Sequence, residues 1–447
     1  MPQYNYLSTK KLLYSLFALV FVQNAFVLSV AGGTFKWYEL VSILLLFYLA
    51  FCAQRVVIDK ISVLFLLLFV ISPIVSDFYA ILMKPFEAEL YQLYYTRFPE
   101  AQGSLRCNFI FSTIYSLSLS LGVFSILYFV INSSYLYQNH QKVTRFFIYS
   151  GTIVAFYSLY QFFGITFLGL PDLVPSFLDG RNFRGAVGNH RAGGFSIEPG
   201  SYVCIQSIVV LYLIFGKNYL PKKRRNRLLF VNVLALLLTL SSSMVVFFGV
   251  LGFYIVFFSK NRIAKGFCVF LVILMIVIFP ILNKATNNLL QYVFITKLQN
   301  FVSSPNNTLD SGAMRAFTNG IGYKIFHAHP LFGCGFGNSF FYMPVYEFDM
   351  GIRVWGEKLN ASVTPQNNFS KILAEQGLFG VIPLILLFVY SINRFYKNRK
   401  DNICLMYLMI SLLLMGYNFT AGVYLTNLFI WLNLALGLNY VKYRYGV

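Results

Sequence analysis

The chain has 447 residues, of which 58% are hydrophobic and only 11% are charged, and its mean hydropathy is +0.66. Soluble domains carry about 25% charged residues, which excludes a soluble enzyme, and intrinsic disorder is excluded because it needs low hydrophobicity. The formal net charge is +20, from 35 Lys and Arg against 15 Asp and Glu. A nucleic-acid partner is not expected, because the chain has no soluble domain that could carry this charge on its surface. The excess of positive charge must therefore be explained by membrane topology.

Apolar runs long enough to cross a bilayer, which takes about 20 residues, occur along the whole chain. They lie at 12–33, 38–54, 61–83, 108–135, 146–170, 200–216, 266–282, 377–393, 402–420 and 421–441. A longer run at 228–258 has three serines near its middle and is predicted to form two short helices that meet at a turn. The predicted fold is an all-α, polytopic membrane protein with about twelve transmembrane helices in one domain, residues 1–447, although the shortest runs could be re-entrant.

The distribution of charge predicts the orientation. With the N-terminus in the cytoplasm, the predicted cytoplasmic segments hold 21 of the 35 basic residues and 2 of the 15 acidic residues, a net charge of +19 against +1 elsewhere. This bias matches the excess of Lys and Arg that cytoplasmic loops carry. It predicts that both termini are cytoplasmic, and it explains the basic run 222–225 as a topology anchor.

Three sizeable segments are then predicted on the opposite face, at 84–107, 171–199 and 283–376. The first has the character of an interfacial amphipathic segment. The other two collect polar and ionisable residues, whereas the predicted helix centres are nearly free of charge. Transporters normally place ionisable groups inside the membrane, so this pattern favours chemistry or binding at the outer boundary.

Arginines cluster before the predicted helix 200–216. Arg181, Arg184 and Arg191 precede Glu198 and Pro199, and proline suits the first position of a helix. Arginines beside the positive end of a helix form a phosphate site. The alternative is that they anchor the loop to lipid headgroups.

The glycine-rich stretch 333–337 is not expected to bind a dinucleotide, because no strand–helix unit surrounds it. Close backbone packing or a tight turn is the better explanation. His327 and His329 lack the further ligands that a metal site needs, so neither a metal nor another cofactor is expected.

Two stretches resemble sequence blocks of the O-antigen polymerase and ligase superfamily. Residues 330–338 are similar to its P-L-x-G-x-G-x-G-N block, and residues 364–380 to its H-N-x-x-L-x-x-x-x-E-x-G-x-x-G block. The motif positions are held by Gly333, Gly335 and Asn338 in the first block and by Gln366, Asn367 and Glu375 in the second.

Three further stretches carry the same resemblance. Residues 311–315 are similar to the family's S-G-x-x-R, residues 238–241 to its L-T-x-S turn, and residues 191–200 to the R-x-x-G-x-x-x-E-P-S of polysaccharide polymerases. One departure matters: the ligases carry a histidine, thought to act as a base, where this chain has Gln366. Glutamine cannot take a proton at neutral pH, which favours a polymerase over a ligase.

The resemblance implies a polymerase of O-antigen or related surface polysaccharide in the bacterial inner membrane. Its substrates would be undecaprenyl-diphosphate-linked glycans at the periplasmic face, with membrane lipids and a chain-length regulator protein as further partners. The diphosphates are assigned to Arg191 and Arg315, with Arg184 and Arg353 as lesser candidates. Glu198 is the first candidate for the base and His329 the second. Glu198 could instead pair with Arg191, and His329 could be a structural hydrogen-bonding residue.

Two other functions stay open. An O-antigen ligase that transfers glycan to lipid A–core would share the fold and the donor. A flippase or exporter of lipid-linked oligosaccharides would need a charged path through the bundle, which the sequence does not show.

The topology can be tested with single cysteines introduced on a cysteine-free background. An impermeant thiol reagent applied from outside should label an Asn307→Cys variant, in the segment 283–376, and should spare an Asn226→Cys variant, in the segment 217–227. The opposite labelling pattern would contradict the orientation.

Overall fold

The computed structural model describes residues 59–104, 107–174, 192–196, 199–239, 241, 243–260, 311–349, 364–420, 425 and 427–446, with short pieces between residues 14 and 44. The predicted helix 266–282 and most of the segment 171–199 lie outside the described residues.

A short antiparallel hairpin near the N-terminus departs from the all-α prediction. Strand β1, Val27–Val30, pairs with strand β2, Gly33–Lys36. The predicted helix 12–33 is therefore wrong in its last part. The strand sequences VLSV and GTFK carry β-branched residues, which favour strands.

The other described secondary structure is helical. The α-helices are α1 Lys60–Leu66, α2 Ser72–Met83, α3 Ala88–Arg97, α4 Phe109–Asn132, α5 Ser134–Gln138, α6 His140–Leu159, α7 Pro199–Phe215, α8 Lys222–Leu237, α9 Met244–Phe257, α10 Ser311–Ala328, α11 Met343–Asp349, α12 Asn368–Lys397, α13 Asn402–Thr420 and α14 Leu428–Tyr445. Short 3₁₀ turns lie at Lys84–Glu87, Pro99–Gly103 and Ser339–Tyr342, and π turns at Leu67–Ile71 and Tyr160–Phe167.

Five helical stretches are long and apolar enough to cross a membrane: Lys60–Arg97, Phe109–Asn132, His140–Phe167, Asn368–Lys397 and Asn402–Thr420. Each coincides with a predicted apolar run, and α7 and α9 are shorter apolar helices. These helices support a multi-pass membrane protein, whereas the count of about twelve spans stays a prediction. The segments predicted to lie on the outer face contain more helix than the sequence indicated, because α3, α10 and α11 all fall within them.

The two short helices predicted from the run 228–258 are confirmed. Helix α8 ends at Leu237 and α9 begins at Met244, and Ser241 and Ser243 lie between them. The basic residues 222–225 form the first turn of α8 rather than a loop.

Three helices form the centre of the bundle. Most side chains of α7, α13 and α14 are buried, and α7 packs against α6, α8 and α13 while α14 packs against α4 and α13. The Nδ2 atom of Asn439 on α14 lies 2.9 to 3.0 Å from the carbonyl oxygens of Val130, Ile131 and Ser133. Its two protons are therefore shared among carbonyls at the C-terminal end of α4, which ties α14 to α4. Side-chain amides of this kind hold helices together where lipid supplies no hydrophobic driving force.

Candidate functional site

Helix α12 is interrupted at Gly377, whose backbone has φ 61° and ψ −152°. Only glycine adopts this conformation at low cost. A Cβ atom there would also lie 2.6 Å from the carbonyl carbon of Leu331. The break leaves amides and carbonyls of α12 without partners inside a largely apolar bundle, where unpaired backbone groups are costly.

The turn that follows α10 supplies those partners. Four backbone hydrogen bonds of 2.9 to 3.1 Å cross between the turn and the break, two donated by the turn and two accepted by it. They are Cys334 N to Ala374 O, Gly335 N to Glu375 O, Leu378 N to Pro330 O, and Phe379 N to Leu331 O. The turn thereby satisfies both half-helices at once.

The glycines of this turn are required by close approach, as the sequence predicted. Gly333, Gly335 and Gly337 all have positive φ, between 69° and 98°. A Cβ at Gly333 would overlap the carbonyl carbon of Glu375, and one at Gly335 would lie 2.7 Å from the Cβ of Ala80. These positions leave no room between the turn and the helices behind it.

Two further motif residues also stabilise the turn. Glu375 is 1% exposed; its Oε1 accepts a 2.7 Å hydrogen bond from Ser339 and lies 3.7 Å from Lys371 Nζ. Asn338 is fully buried and donates through Nδ2 to Thr113 Oγ1 at 2.9 Å. Both residues therefore have structural partners.

Asp77 is an ionisable residue in the predicted span 61–83, whose interior was expected to be nearly free of charge. It is 4% exposed, and its Oδ1 accepts a 2.7 Å hydrogen bond from the backbone amide of Phe336. The side chain of Asp77 therefore stabilises the glycine-rich turn.

His329 lies at the end of α10, far from Arg315. Its Nε2 is 3.1 Å from Glu87 Oε1, and Tyr342 donates its hydroxyl to the other oxygen of Glu87. Fourteen residues separate His329 from Arg315 on α10, which is about 21 Å along the helix axis. The structure does not bring these two predicted site residues together, and His329 is held by its contact with Glu87.

Arg315 lies instead where three motif-bearing segments meet. A Cβ built on Gly200, in the first turn of α7, would lie 3.1 Å from Ser243 Oγ, 3.6 Å from Ser241 Oγ and 3.8 Å from Arg315 Nη2. The guanidinium, the two hydroxyls and the start of α7 are therefore close neighbours. A side chain at position 200 would crowd Ser243, which explains why glycine suits this position.

The short segment 192–196 is fixed against the same place. Ala192 N donates to Leu238 O at 3.2 Å. The side-chain amide of Gln161 accepts from Gly193 N at 3.3 Å and donates to Gly194 O at 2.9 Å. The ring of Phe195 stacks on Tyr157 with centroids 4.2 Å apart.

Four predicted site residues, Arg184, Arg191, Glu198 and Arg353, lie outside the described residues. The chain neighbours of two of them are described: Ala192 follows Arg191, and Pro199 follows Glu198. Both neighbours belong to the segments that meet near Arg315.

The Gln366–Asn367 pair sits one helical turn from Arg315. Asn319 Oδ1 accepts hydrogen bonds from Gln366 N and Asn367 N, each at 3.0 Å. Asn367 Oδ1 in turn accepts from Ser370 N at 2.6 Å and caps the start of α12. Asn319 follows Arg315 by four residues on α10, so their side chains lie on one face. Asn319 belongs to none of the sequence motifs, and its only signal in the sequence is its spacing of four residues from Arg315.

The fold and this site define a multi-pass membrane protein with a polar, arginine-bearing site among its helices. Residues 228–385 match the family model described as O-antigen ligase. The match includes the serine turn, Arg315, the glycine-rich turn and Gln366, and ends before α13. It supports the resemblance to the O-antigen polymerase and ligase superfamily and a function in membrane glycan transfer. No curated protein sequence matches the chain.

The glycine-rich turn can be tested by adding one methyl group. Gly333→Ala should destabilise the protein by about 3 kcal/mol or more, because it combines a positive φ with a backbone overlap. Thermal melting in detergent, followed by size-exclusion chromatography, measures the effect. Gly252→Ala in α9 is the matched control: a Cβ there meets nothing within 4 Å, and the change should shift stability by no more than about 1 kcal/mol. Equal melting of both variants would refute the packing role.

Proposed function

We propose that the protein is a membrane glycosyltransferase that polymerises undecaprenyl-diphosphate-linked oligosaccharide repeat units into O-antigen or a related surface polysaccharide. The reaction would take place at the periplasmic face of the inner membrane. The observation that carries the proposal is the meeting of Arg315, Ser241 and Ser243 at the start of α7. A cation, two hydroxyl donors and the positive end of a helix suit one ligand, a phosphate group.

The chemistry of polymerisation fits such a site. The bond between the anomeric carbon of the growing chain and its lipid diphosphate breaks, and a new bond forms to a hydroxyl of the incoming repeat. The diphosphate leaves with extra negative charge, and the acceptor hydroxyl loses a proton. A guanidinium group can bind two phosphate oxygens at once, so Arg315 would stabilise the leaving group as its charge develops.

Two predicted residues outside the described part complete the proposal. Glu198 directly precedes Pro199 at the start of α7, a position from which a carboxylate could take the acceptor proton. Arg191 directly precedes Ala192 and would provide the cation for the second lipid diphosphate. His329 is not proposed as the base for two reasons. Its ring contacts Glu87, and it lies about 21 Å from Arg315 along the helix axis.

Polymerase is favoured over ligase by Gln366. The family's ligases have a histidine at this position, and a glutamine amide cannot act as a base. A flippase is disfavoured because Asp77 and Glu375, two of the most buried ionisable groups, serve the glycine-rich turn rather than line a path. Membrane lipids and a chain-length regulator remain the expected partners.

Substitution of Arg315 tests the diphosphate site. Arg315→Ala should reduce polymer formation by about 10²- to 10³-fold, as expected when one donor to a developing charge is lost. Arg315→Lys should restore only part of it, because lysine keeps the charge and loses the paired donors. Lipopolysaccharide gels, with immunoblots for protein level, give the readout. Arg224→Ala is the matched control, since Arg224 is exposed on α8 and stacks over Tyr149, and it should leave the ladder unchanged. Normal polymer from Arg315→Ala would refute the assignment.

A deletion strain separates the three functions, provided that the host has a working ligase and an O-antigen pathway. Loss of a polymerase should leave core plus one repeat, without the ladder of longer chains. Loss of a ligase would leave bare core, with polymer held on the lipid carrier. Loss of a flippase would leave bare core, with single repeats trapped on the cytoplasmic side. Bare core without a one-repeat band would exclude the polymerase.

A further inference from the structure

Asn319 has an unusually well-determined side-chain orientation. Its Oδ1 accepts three hydrogen bonds, from Gln366 N and Asn367 N at 3.0 Å and from Ser370 Oγ at 2.9 Å. Backbone amides can only donate, so this atom must be the oxygen and the other terminal atom must be the NH₂ group. The direction of the donor group is therefore fixed by the start of α12.

The Nδ2 donor of Asn319 has no hydrogen-bond partner among the residues that the structure describes. Asn319 is only 5% exposed, but its Nδ2 atom is not fully enclosed. The side-chain amide of Gln366 likewise makes no hydrogen bond within the described residues. Both amide groups can therefore reach a bound polar group, because Nδ2 of Asn319 is not fully enclosed and Gln366 is only half-buried.

The position of Asn319 relates this donor to the proposed diphosphate site. It lies one turn after Arg315 on the same face of α10, a spacing of about 5 to 6 Å between Cβ atoms. Helix α10 is held against the start of α12 at Gly322, where a Cβ would lie 3.0 Å from Pro365 and 3.1 Å from Ser370 O. Arg315, Asn319 and Gln366 are therefore held in a fixed arrangement.

We propose that Asn319 binds the sugar next to the diphosphate, donating from Nδ2 to a hydroxyl of a lipid-diphosphate-linked glycan. The proposal rests on the proposed function and assigns the sugar half of the same substrate: Arg315 holds the diphosphate, and Asn319 orients the ring attached to it. Oδ1 keeps the donor in place by binding the Gln366–Asn367 backbone. Asn319 thus acts through direct contact with substrate as well as through the loop it fixes.

Asn319→Asp separates the two roles, because the carboxylate keeps an acceptor for the loop amides and removes the donor. Binding is measured on the full-length protein in detergent with two probes, a polyprenyl-diphosphate-linked monosaccharide and the bare polyprenyl diphosphate. The added negative charge weakens the binding of both probes to the same extent. The ratio of their dissociation constants therefore reports the sugar contact alone. Asn319→Asp should reduce the preference for the sugar-bearing lipid by roughly three- to tenfold, as expected for one lost hydrogen bond.

Ser370→Ala is the matched control, since it removes one of the three bonds to Oδ1 without touching the donor, and it should keep the wild-type ratio. If Asn319→Asp does not fold, Asn319→Ser takes its place, because serine has a hydroxyl on a shorter side chain and lacks the amide donor. Asn319→Ser should show the same loss of preference for the sugar-bearing lipid. An unchanged ratio in the folded variant overturns the role of Asn319. Undiminished binding of the bare diphosphate by Arg315→Ala overturns the proposed diphosphate site instead, so the two failures are distinguishable.

Discussion

The exchange of backbone hydrogen bonds between the glycine-rich turn and the break in α12 is the constraint on which the site depends. An interrupted helix leaves amides and carbonyls that lipid cannot satisfy, and the turn pairs four of them. Because this turn follows α10 directly, the same bonds fix where α10 ends, and hence where Arg315 and Asn319 lie along it. Gly333, Asn338 and Glu375 all make contacts that hold this arrangement together.

Hydrophobicity predicted the fold best where one apolar run corresponds to one helix, as in α4 and α13, and where a polar interruption marks a turn, as between α8 and α9. It failed at 12–33, because apolar character does not distinguish a strand from a helix. It also placed the start of α12 at 377 instead of Asn368. The first turns of that helix are polar, and what begins the helix is the Asn367 cap, which a search for apolar runs does not detect.

The site was predictable only in part. The motifs pointed to Arg315 and Gln366, and the structure places them on neighbouring elements. Asn319 could not be found, because its role depends on bonds to residues 47 and 48 positions away. The distance between His329 and Arg315 could not be predicted either, because no helices were assigned within residues 283–376, which were predicted as an outer segment. Once α10 is known, the rise of the helix alone gives their distance.

The break at Gly377 also has a mechanical consequence. A continuous helix transmits tilt along its whole length, whereas α12 has no regular helical backbone at this point. The second half carries exposed apolar side chains such as Ile382, Ile385 and Val389, which suit contact with lipid, and membranes differ in thickness and impose tilt on such segments. The glycine-rich turn is hydrogen-bonded to both halves, so a tilt of the second half is passed to the turn and to α10 rather than along a continuous helix. The thickness of the bilayer is thereby linked to the position of α10, which bears Arg315 and Asn319.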